Sequence, residues 1–122
     1  MTKTNKRNRC LMLLLFSAVL LAGCAIDVEI DNVDLTKVTS GTYHGEYQSG
    51  PVKAIVEVEV RNYVITAINL TQHDNLRGGK AETIINSIQE KQSLEVDVVS
   101  GATASSNVIL KAIEIALRQG MK

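Results

Sequence analysis

Aromatic residues, cysteine and histidine are scarce in this chain of 122 residues, and each scarcity excludes a class of site. There is no Trp and a single Phe, with three Tyr, two Cys and two His. So few aromatic side chains exclude a binding surface built on stacked rings. The two histidines, His44 and His73, belong to no Ser-His-Asp arrangement and to no cluster of metal ligands. The sequence therefore predicts neither a catalytic residue nor a metal site of its own.

The N-terminus has the pattern of a signal peptide. An apolar run of 13 residues, from Cys10 to Ala22, follows four cations, Lys3, Lys6, Arg7 and Arg9. This length is typical of the hydrophobic core of a signal peptide and is too short to span a bilayer. We expect the segment to be removed from the mature protein.

The apolar run ends in "LLAGC", which resembles the lipobox of bacterial lipoproteins. In that motif, cleavage precedes a cysteine that carries a diacylglycerol thioether, so Cys24 would be the first residue of the mature chain. Two or more acyl chains on one residue give stable membrane anchoring. We therefore predict a signal peptide over residues 1–23 and an extracytoplasmic protein anchored through lipid on Cys24. The alternative is an ordinary secretory signal followed by a free cysteine.

Removal of the signal peptide changes the charge balance and the cysteine count. The four cations leave with it, so 13 − 4 = 9 Lys and Arg remain against 13 Asp and Glu. A net charge near −4 argues against a nucleic-acid partner. Cys10 is lost and Cys24 is lipidated, so no disulfide can form.

Residues 24–39 are acidic and show no sustained periodicity, which predicts a lipid-anchored tether. Ile26, Val28 and Ile30 alternate, so part of this segment could add an edge strand. The folded domain is then predicted over residues 40–122.

Three strands are predicted in the first half of that domain, from "GTYHGEYQ", "VKAIVEVEV" and "YVITAINLTQ". The second strand alternates strictly, with Val56, Val58 and Val60 facing inward. Only Arg61-Asn62 separates it from the third, so we expect a hairpin in which Asn62 takes a left-handed conformation. Three consecutive strands with one wet face predict an antiparallel meander.

Two amphipathic helices are predicted in the second half. "KAETIINSIQEK" places Ala81, Ile84, Ile85 and Ile88 on one stripe. In the last helix, Lys111, Glu114 and Arg118 share a polar stripe, and the rest of its surface is apolar, from Val108, Ile109, Ala112, Ile113, Ala116 and Leu117. The fold class is therefore α+β, a small antiparallel sheet with two helices packed on it.

The stretch "DVVSGATASS", residues 97–106, begins this last helix with unusually many hydroxyl and small residues. Gly101 and Ala102 remove side-chain bulk where a helix presents unpaired N–H groups, and Ser100, Thr103, Ser105 and Ser106 surround that place. This is the description of a phosphate site. The alternative is that the hydroxyls only cap the helix.

In context, "DVVSGATASS" resembles the flavinylation motif of the FMN-binding domain family, Asp-x-x-Ser/Thr-Gly-Ala-Thr, in which FMN is joined to the Thr through a phosphoester. That domain occurs in membrane subunits of sodium- and proton-pumping reductases and in stand-alone bacterial lipoproteins. The resemblance extends over the folded unit, through "GTYHGEY", the hairpin ending in His73 and the C-terminal half. Two departures are the absence of a hairpin Gly at Asn62-Tyr63 and the loop "DNLRGG" in place of Glu-Thr-Pro-Gly.

The resemblance implies a role for each matching residue. Thr103 matches the flavin-bearing Thr and Asp97 the motif Asp. Ser100, Gly101 and Ala102 match the loop that seats the phosphate, and Ser105 and Ser106 match the hydroxyls that follow. His73 matches a histidine that could reach the flavin ring or phosphate, the alternative being a solvated strand end. In the departing loop, Arg77, Gly78, Gly79 and Lys80 offer a cation and bare backbone, or are simply solvated.

The function implied by the resemblance is electron transfer through FMN bound covalently at Thr103, with no independent catalytic site. The implied partners are a flavin transferase for maturation, a membrane electron donor, either a quinol or a flavoprotein, and an unidentified acceptor. A lipoprotein that binds FMN or another phosphorylated ligand reversibly is the first alternative. A structural adhesion lipoprotein in which "SGATASS" is only a helix cap is the second.

Overall fold

The computed structural model describes residues 28–75 and 79–122, and its centre is a three-stranded antiparallel sheet. Strand β1 spans Gly41–Ser49, β2 spans Val52–Arg61 and β3 spans Val64–Asp74. The strands are neighbours in chain order, so the sheet is the predicted meander. With the two helices described below, the predicted α+β class is confirmed.

The inner face of the sheet is built mainly by β2. Because side chains alternate between the two faces of a strand, every second side chain of β2 faces the helices. Val56, Val58 and Val60 are fully buried, as predicted, and Ala54 joins them. The central strand therefore supplies the floor of the core.

The β2–β3 hairpin turns at Asn62 and Tyr63, which have φ angles of 50° and 65°. The left-handed conformation predicted for Asn62 is confirmed. Tyr63 adopts it too, although a bulky side chain is disfavoured there. Tyr63 as a whole is 60% exposed, so packing against the core does not explain why Tyr stands at this position.

Helix α1 spans Ile84–Lys91 and follows a 3-10 turn at Gly79–Thr83. Ala81, Ile84 and Ile88 are buried on the predicted stripe. After the helix, the Gln92 side chain accepts a hydrogen bond from the N–H of Ile65 at 2.7 Å and donates one to the same residue's carbonyl at 3.0 Å. The backbone N–H and C=O of Ile65, at the open edge of β3, are thereby hydrogen-bonded to a side chain.

Helix α2 spans Thr103–Gln119 and lies across β1 and β2. Contact with β1 is so close that a Cβ placed on Gly45 would lie 1.9 Å from the carbonyl oxygen of Ala112. Its predicted apolar surface is buried throughout, at Val108, Ile109, Ala112, Ile113, Ala116 and Leu117. This helix and β2 together form most of the core.

The described part of the predicted tether packs on the folded unit. Val33 is 5% exposed and Val38 is completely buried, and Val38 forms a bridge with Met121. Residues 28–34 form no strand, and a 3-10 turn follows at Leu35–Lys37. The core thus draws on residues before position 40, where the domain was predicted to start.

The predicted signal peptide and Cys24 lie outside the described residues. None of the helices within the described ranges is long and apolar enough to cross a membrane.

Candidate functional site

The loop before α2 is held by a side chain of the helix itself. Ser106 is fully buried, and its Oγ donates to the carbonyl of Ala102 at 2.8 Å and accepts from the N–H of Val99 at 3.1 Å. The N–H of Ala102 donates to the carbonyl of Val99 at 2.9 Å. The buried Ser106 hydroxyl therefore fixes the loop through these two hydrogen bonds.

Gly101 sets the backbone conformation of this loop. Its φ is +78°, in the left-handed region, and a Cβ built there would meet no atom of residues 28–75 or 79–122 within 4 Å. Glycine is needed for the backbone conformation rather than for space. The loop surface beside it is consequently open.

The start of α2 is not capped by a hydroxyl. The capping position is Ala102, and no side chain in the described part of the chain makes a capping hydrogen bond there. The alternative in which "SGATASS" serves only as a helix cap is therefore wrong. The first-turn N–H groups have no acceptor within the helix, and the positive end of its dipole points the same way.

The predicted phosphate-site residues divide into two groups by exposure. Asp97, Ser100, Gly101 and Thr103 are exposed, whereas the side chains of Ala102, Ser105 and Ser106 are buried. Thr103, as the first residue of α2, therefore presents its side chain beside the uncapped amides. The structure thus separates the residues that a ligand can reach from those that shape the loop.

The direction of α2 decides which end of the sheet carries Thr103. Ala112 crosses β1 at Gly45, and the carbonyl of Gly120 accepts from the N–H of Thr39 at 2.8 Å, just before β1 begins. The helix hence runs antiparallel to β1. Thr103 precedes Ala112 by nine residues, about 13 Å at 1.5 Å per residue. It lies at the end of the sheet where β1 finishes.

His73 lies at that same end. It pairs with Ala54 near the start of β2, and Val52, where β2 starts, pairs with Ser49, the last residue of β1. The fold thus brings His73 and the Thr103 loop to one edge of the molecule, from positions 30 residues apart in the chain. The family resemblance implied that both residues belong to one site, and the fold shows how they come together.

The His73 side chain is only 2% exposed, so the alternative of a solvated strand end is wrong. Its Nδ1 lies 3.2 Å from Oε1 of Glu82 and 3.4 Å from Nδ2 of Asn75. Within the described part of the chain, its buried Nε2 has no hydrogen-bond partner. A buried polar atom of this kind is costly unless something binds it.

Glu82 is the residue that sequence analysis missed. It sits in the 3-10 turn, which packs on α2, and its carboxylate reaches back nine positions to His73. The available signal was the His-to-Glu pair on either side of a glycine-containing loop. Gly79 and Lys80 are exposed in this turn, while Arg77 and Gly78 lie outside the described residues.

A groove of about 450 Å³ lies at the opposite end of the molecule, lined by Lys37, Ser40, Asn62, Tyr63 and Lys122 among others. The groove is therefore distant from the Thr103 loop, because it adjoins the β2–β3 hairpin and Lys122. Across residues 28–75 and 79–122, no group of three or more His, Cys, Asp or Glu side chains is placed to hold a metal ion.

Comparison with known protein families bears on this site. The model of the FMN-binding domain matches residues 48–118, more than half of the chain. The match contains His73, Asp97 and Thr103. No match was found among the curated proteins. An uncapped helix start beside an open, glycine-turned loop suits the phosphate of a nucleotide. The chain therefore belongs to the FMN-binding domain family, and its cofactor is FMN.

Proposed function

We propose that this protein is a membrane-anchored electron carrier outside the cytoplasm, with FMN joined covalently to Thr103. The observation that carries the proposal is the exposed Thr103 side chain at a helix start that none of the described side chains caps. When bound, FMN supplies the redox chemistry, since it accepts and donates one or two electrons. The protein supplies position and electrostatics.

The residues at the start of α2 would hold the phosphate of the flavin. In the transfer, Thr103 Oγ would form a bond to the phosphorus of a flavin nucleotide as that phosphorus loses its bond to a leaving group, and the hydroxyl proton would pass to the base of the transferase. The first-turn amides and the helix dipole satisfy the negative charge that remains on the phosphate. Gly101 lets the loop take its left-handed turn beside an open surface, and buried Ser106 keeps the loop in place.

Attachment requires a second protein. A Thr hydroxyl has a high pKa and is a poor nucleophile without a base. We assign the base and the metal to a separate flavin transferase that acts outside the cytoplasm. Asp97 is exposed at the surface of the loop, where the transferase can contact it.

His73 lies at the neighbouring strand end, and its buried Nε2 would contact the flavin once binding displaces the residues that cover the ring. With Nδ1–H donating a hydrogen bond to the Glu82 carboxylate, Nε2 is left as an acceptor for an N–H group. The carboxylate of Glu82 favours that tautomer and fixes the ring. The two residues therefore orient a bound nucleotide and have no role in bond formation.

The anchor and the partners complete the proposal. Lipid on Cys24 would hold the protein on the membrane, where a quinol or a flavoprotein donates electrons and an outer acceptor removes them. The cofactor would be lost by dilution outside the cell if it were bound reversibly. A phosphoester removes that loss.

The test compares Thr103→Val, which keeps the shape of the side chain, with Thr103→Ser, which keeps the hydroxyl. Each chain is expressed with a flavin transferase and run on a denaturing gel. The parent should fluoresce, and its Thr103 peptide should gain the mass of FMN less one water. Thr103→Val should lose both signals, whereas Thr103→Ser keeps a hydroxyl for the ester. Because Thr103 is exposed and makes no cap, unfolding free energies should agree within about 0.5 kcal/mol.

Each alternative function predicts a different result. Yellow protein that loses its colour on acid precipitation indicates reversible binding. Colourless parent protein, despite the transferase, indicates a structural lipoprotein. A fluorescent Thr103→Val band contradicts the assignment of the attachment residue.

A further inference from the structure

Residues 29–38, which we term the strap, are fastened along α2. Lys111 Nζ donates to the backbone carbonyl of Glu29 at 2.9 Å. The N–H of Asp31 donates to Oε2 of Glu114 at 3.3 Å, and the Asp31 carboxylate pairs with Arg118 at 2.9 Å. The polar stripe of α2 thus faces the strap rather than solvent alone.

The strap is held from a second side as well. Oδ1 of Asn32 accepts from the N–H of Leu94 at 3.1 Å and from Ser93 Oγ at 3.3 Å. Val33 is 5% exposed and Val38 is completely buried. Polar contacts at one end and apolar burial at the other make the strap part of the folded unit.

Glu114 is the centre of the polar contacts. It is 2% exposed, and its carboxylate also accepts from Lys111 at 2.9 Å and from Arg118 at 2.8 Å. A buried carboxylate is stable only when it is paired in this way. Without the strap, one side of this group would be open to water.

Docking of the strap shortens the distance that the chain can span between the anchor and the domain. If the domain began at residue 40, the chain from Cys24 could reach about 55 Å at full extension, because each residue spans at most about 3.5 Å. From Cys24 to Glu29 the reach is about 17 Å, by the same spacing. These limits hold for any conformation of the intervening residues.

The end of the strap nearest the anchor is close to the flavin site. Glu29 contacts Lys111, which follows Thr103 by eight residues, about 12 Å along the helix. A long tether would let the domain move through the space beyond the membrane. A docked strap keeps the flavin near the lipid surface.

We propose that the strap acts as a spacer that keeps the FMN at Thr103 close to the membrane, so that its electron donor is embedded in or bound to that same membrane. This rests on the proposed function, since it requires both the lipid on Cys24 and the flavin on Thr103. A partner dispersed beyond the membrane would be served better by a released strap.

The experiment measures the distance between flavin and membrane. The flavinylated lipoprotein is placed in phosphatidylcholine vesicles that carry a headgroup-labelled acceptor lipid, and energy transfer from FMN is recorded. Asp31→Ala combined with Asn32→Ala removes the strap's side-chain contacts at two exposed positions. Glu29→Ala is the matched control, because it removes one acid but keeps the carbonyl that binds Lys111. A form with a flexible Gly-Ser insertion after Asp27 provides the signal of a long tether.

We expect strong transfer in the parent and in Glu29→Ala, and in the double variant a loss of transfer toward the level of the lengthened form, because buried Val33 and Val38 still hold the rest of the strap. Amide hydrogen exchange over residues 29–32 should be slow in the parent and fast in the double variant. The inference is overturned if the parent already matches the lengthened form, if exchange in the double variant stays slow, or if the strap is released and transfer does not change. A chain without flavin on a denaturing gel, or one that does not float with vesicles, contradicts the proposed function first, and the inference with it.

Discussion

The two ends of helix α2 are built in opposite ways. At its C-terminal end, Thr39 donates through its N–H and its hydroxyl to the carbonyl of Gly120, at 2.8 and 3.1 Å, and the Tyr43 hydroxyl donates to the carbonyl of Thr39 at 2.7 Å. At its N-terminal end, the first turn has no side-chain cap and Thr103 is exposed. One end is closed by hydrogen bonds and packing, and the other presents unpaired helix amides.

This difference indicates that the two ends of the helix have different roles. Satisfied hydrogen bonds and buried contacts at the C-terminal end supply stability. Unsatisfied backbone donors at the N-terminal end are unfavourable by themselves, and a bound phosphate turns them into a binding site. Functional sites are commonly the places where local stability rules are broken.

The largest effect should come from the buried carboxylate that joins α2 to the strap. Glu114→Gln leaves Lys111 and Arg118 without their shared anion, and both cations are partly solvated, so we expect a loss of about 2 kcal/mol. Glu90→Gln, on the exposed side of α1, is the matched control and should change stability by less than about 0.5 kcal/mol. Urea unfolding measures both, and equal losses would contradict the role of Glu114.

The same carboxylate predicts how stability depends on pH. Burial raises the pKa of Glu114, but hydrogen bonds from Lys111, Arg118 and the Asp31 backbone together lower it below its ordinary value. A pKa lowered in the folded state gives stability that is present above the unfolded pKa and is lost as pH falls through the folded one. Melting temperatures from neutral to acid pH should therefore fall more steeply in the parent than in Glu114→Gln.

Glycine substitutions should separate the two ends by mechanism. A Cβ on Gly120 would lie 2.4 Å from Tyr43 Cζ, although its φ of −88° is ordinary. Gly120→Ala should therefore cost about 2 kcal/mol through overpacking. Gly101→Ala meets no atom within 4 Å, and its φ of +78° should cost about 1 kcal/mol.

A second substitution distinguishes crowding from backbone strain. Tyr43→Ala should cost less stability in the Gly120→Ala background than in the parent, because there it also removes the clashing ring. In the Gly101→Ala background it should cost as much as in the parent. Additive losses in the first pair would show that crowding against Tyr43 is not the cause.

Ser106→Ala tests how the open end is held. It removes the hydroxyl that links the Ala102 carbonyl to the Val99 N–H, so we expect about 1 kcal/mol of destabilisation. Covalent flavin should also fall, because the loop that presents Thr103 loosens. Normal flavin content in a destabilised Ser106→Ala protein would mean that the loop geometry does not matter for attachment.

The smallest effect is a gain. Tyr63 has a φ of 65° and an exposed ring, so Tyr63→Gly removes backbone strain without opening a cavity. We expect stabilisation of about 0.5–1 kcal/mol, measured by the midpoint of urea unfolding. An unchanged or lower urea midpoint would show that contacts of the Tyr63 ring stabilise the β2–β3 hairpin by more than the backbone strain costs.

Periodicity alone located the regular elements. Alternation in β2 and the apolar stripe of α2 predicted which side chains are buried, because both patterns follow from backbone geometry that neighbouring residues fix. The strap escaped prediction because an irregular segment with a 3-10 turn has no period. His73 was identified by resemblance alone, and its burial against Glu82 follows only from the packing of the 3-10 turn.

The sequence by itself determined the meander, the two helices and the hydroxyl-rich start of α2, since these depend on local propensity and on spacing along the chain. Tertiary structure decided which hydroxyls are available and which are used internally, because burial depends on partners distant in sequence. It also decided that Glu114 lies under the strap, and that His73 and Thr103 share one end of the sheet. Those arrangements arise only when α2 packs antiparallel on β1, which no local pattern encodes.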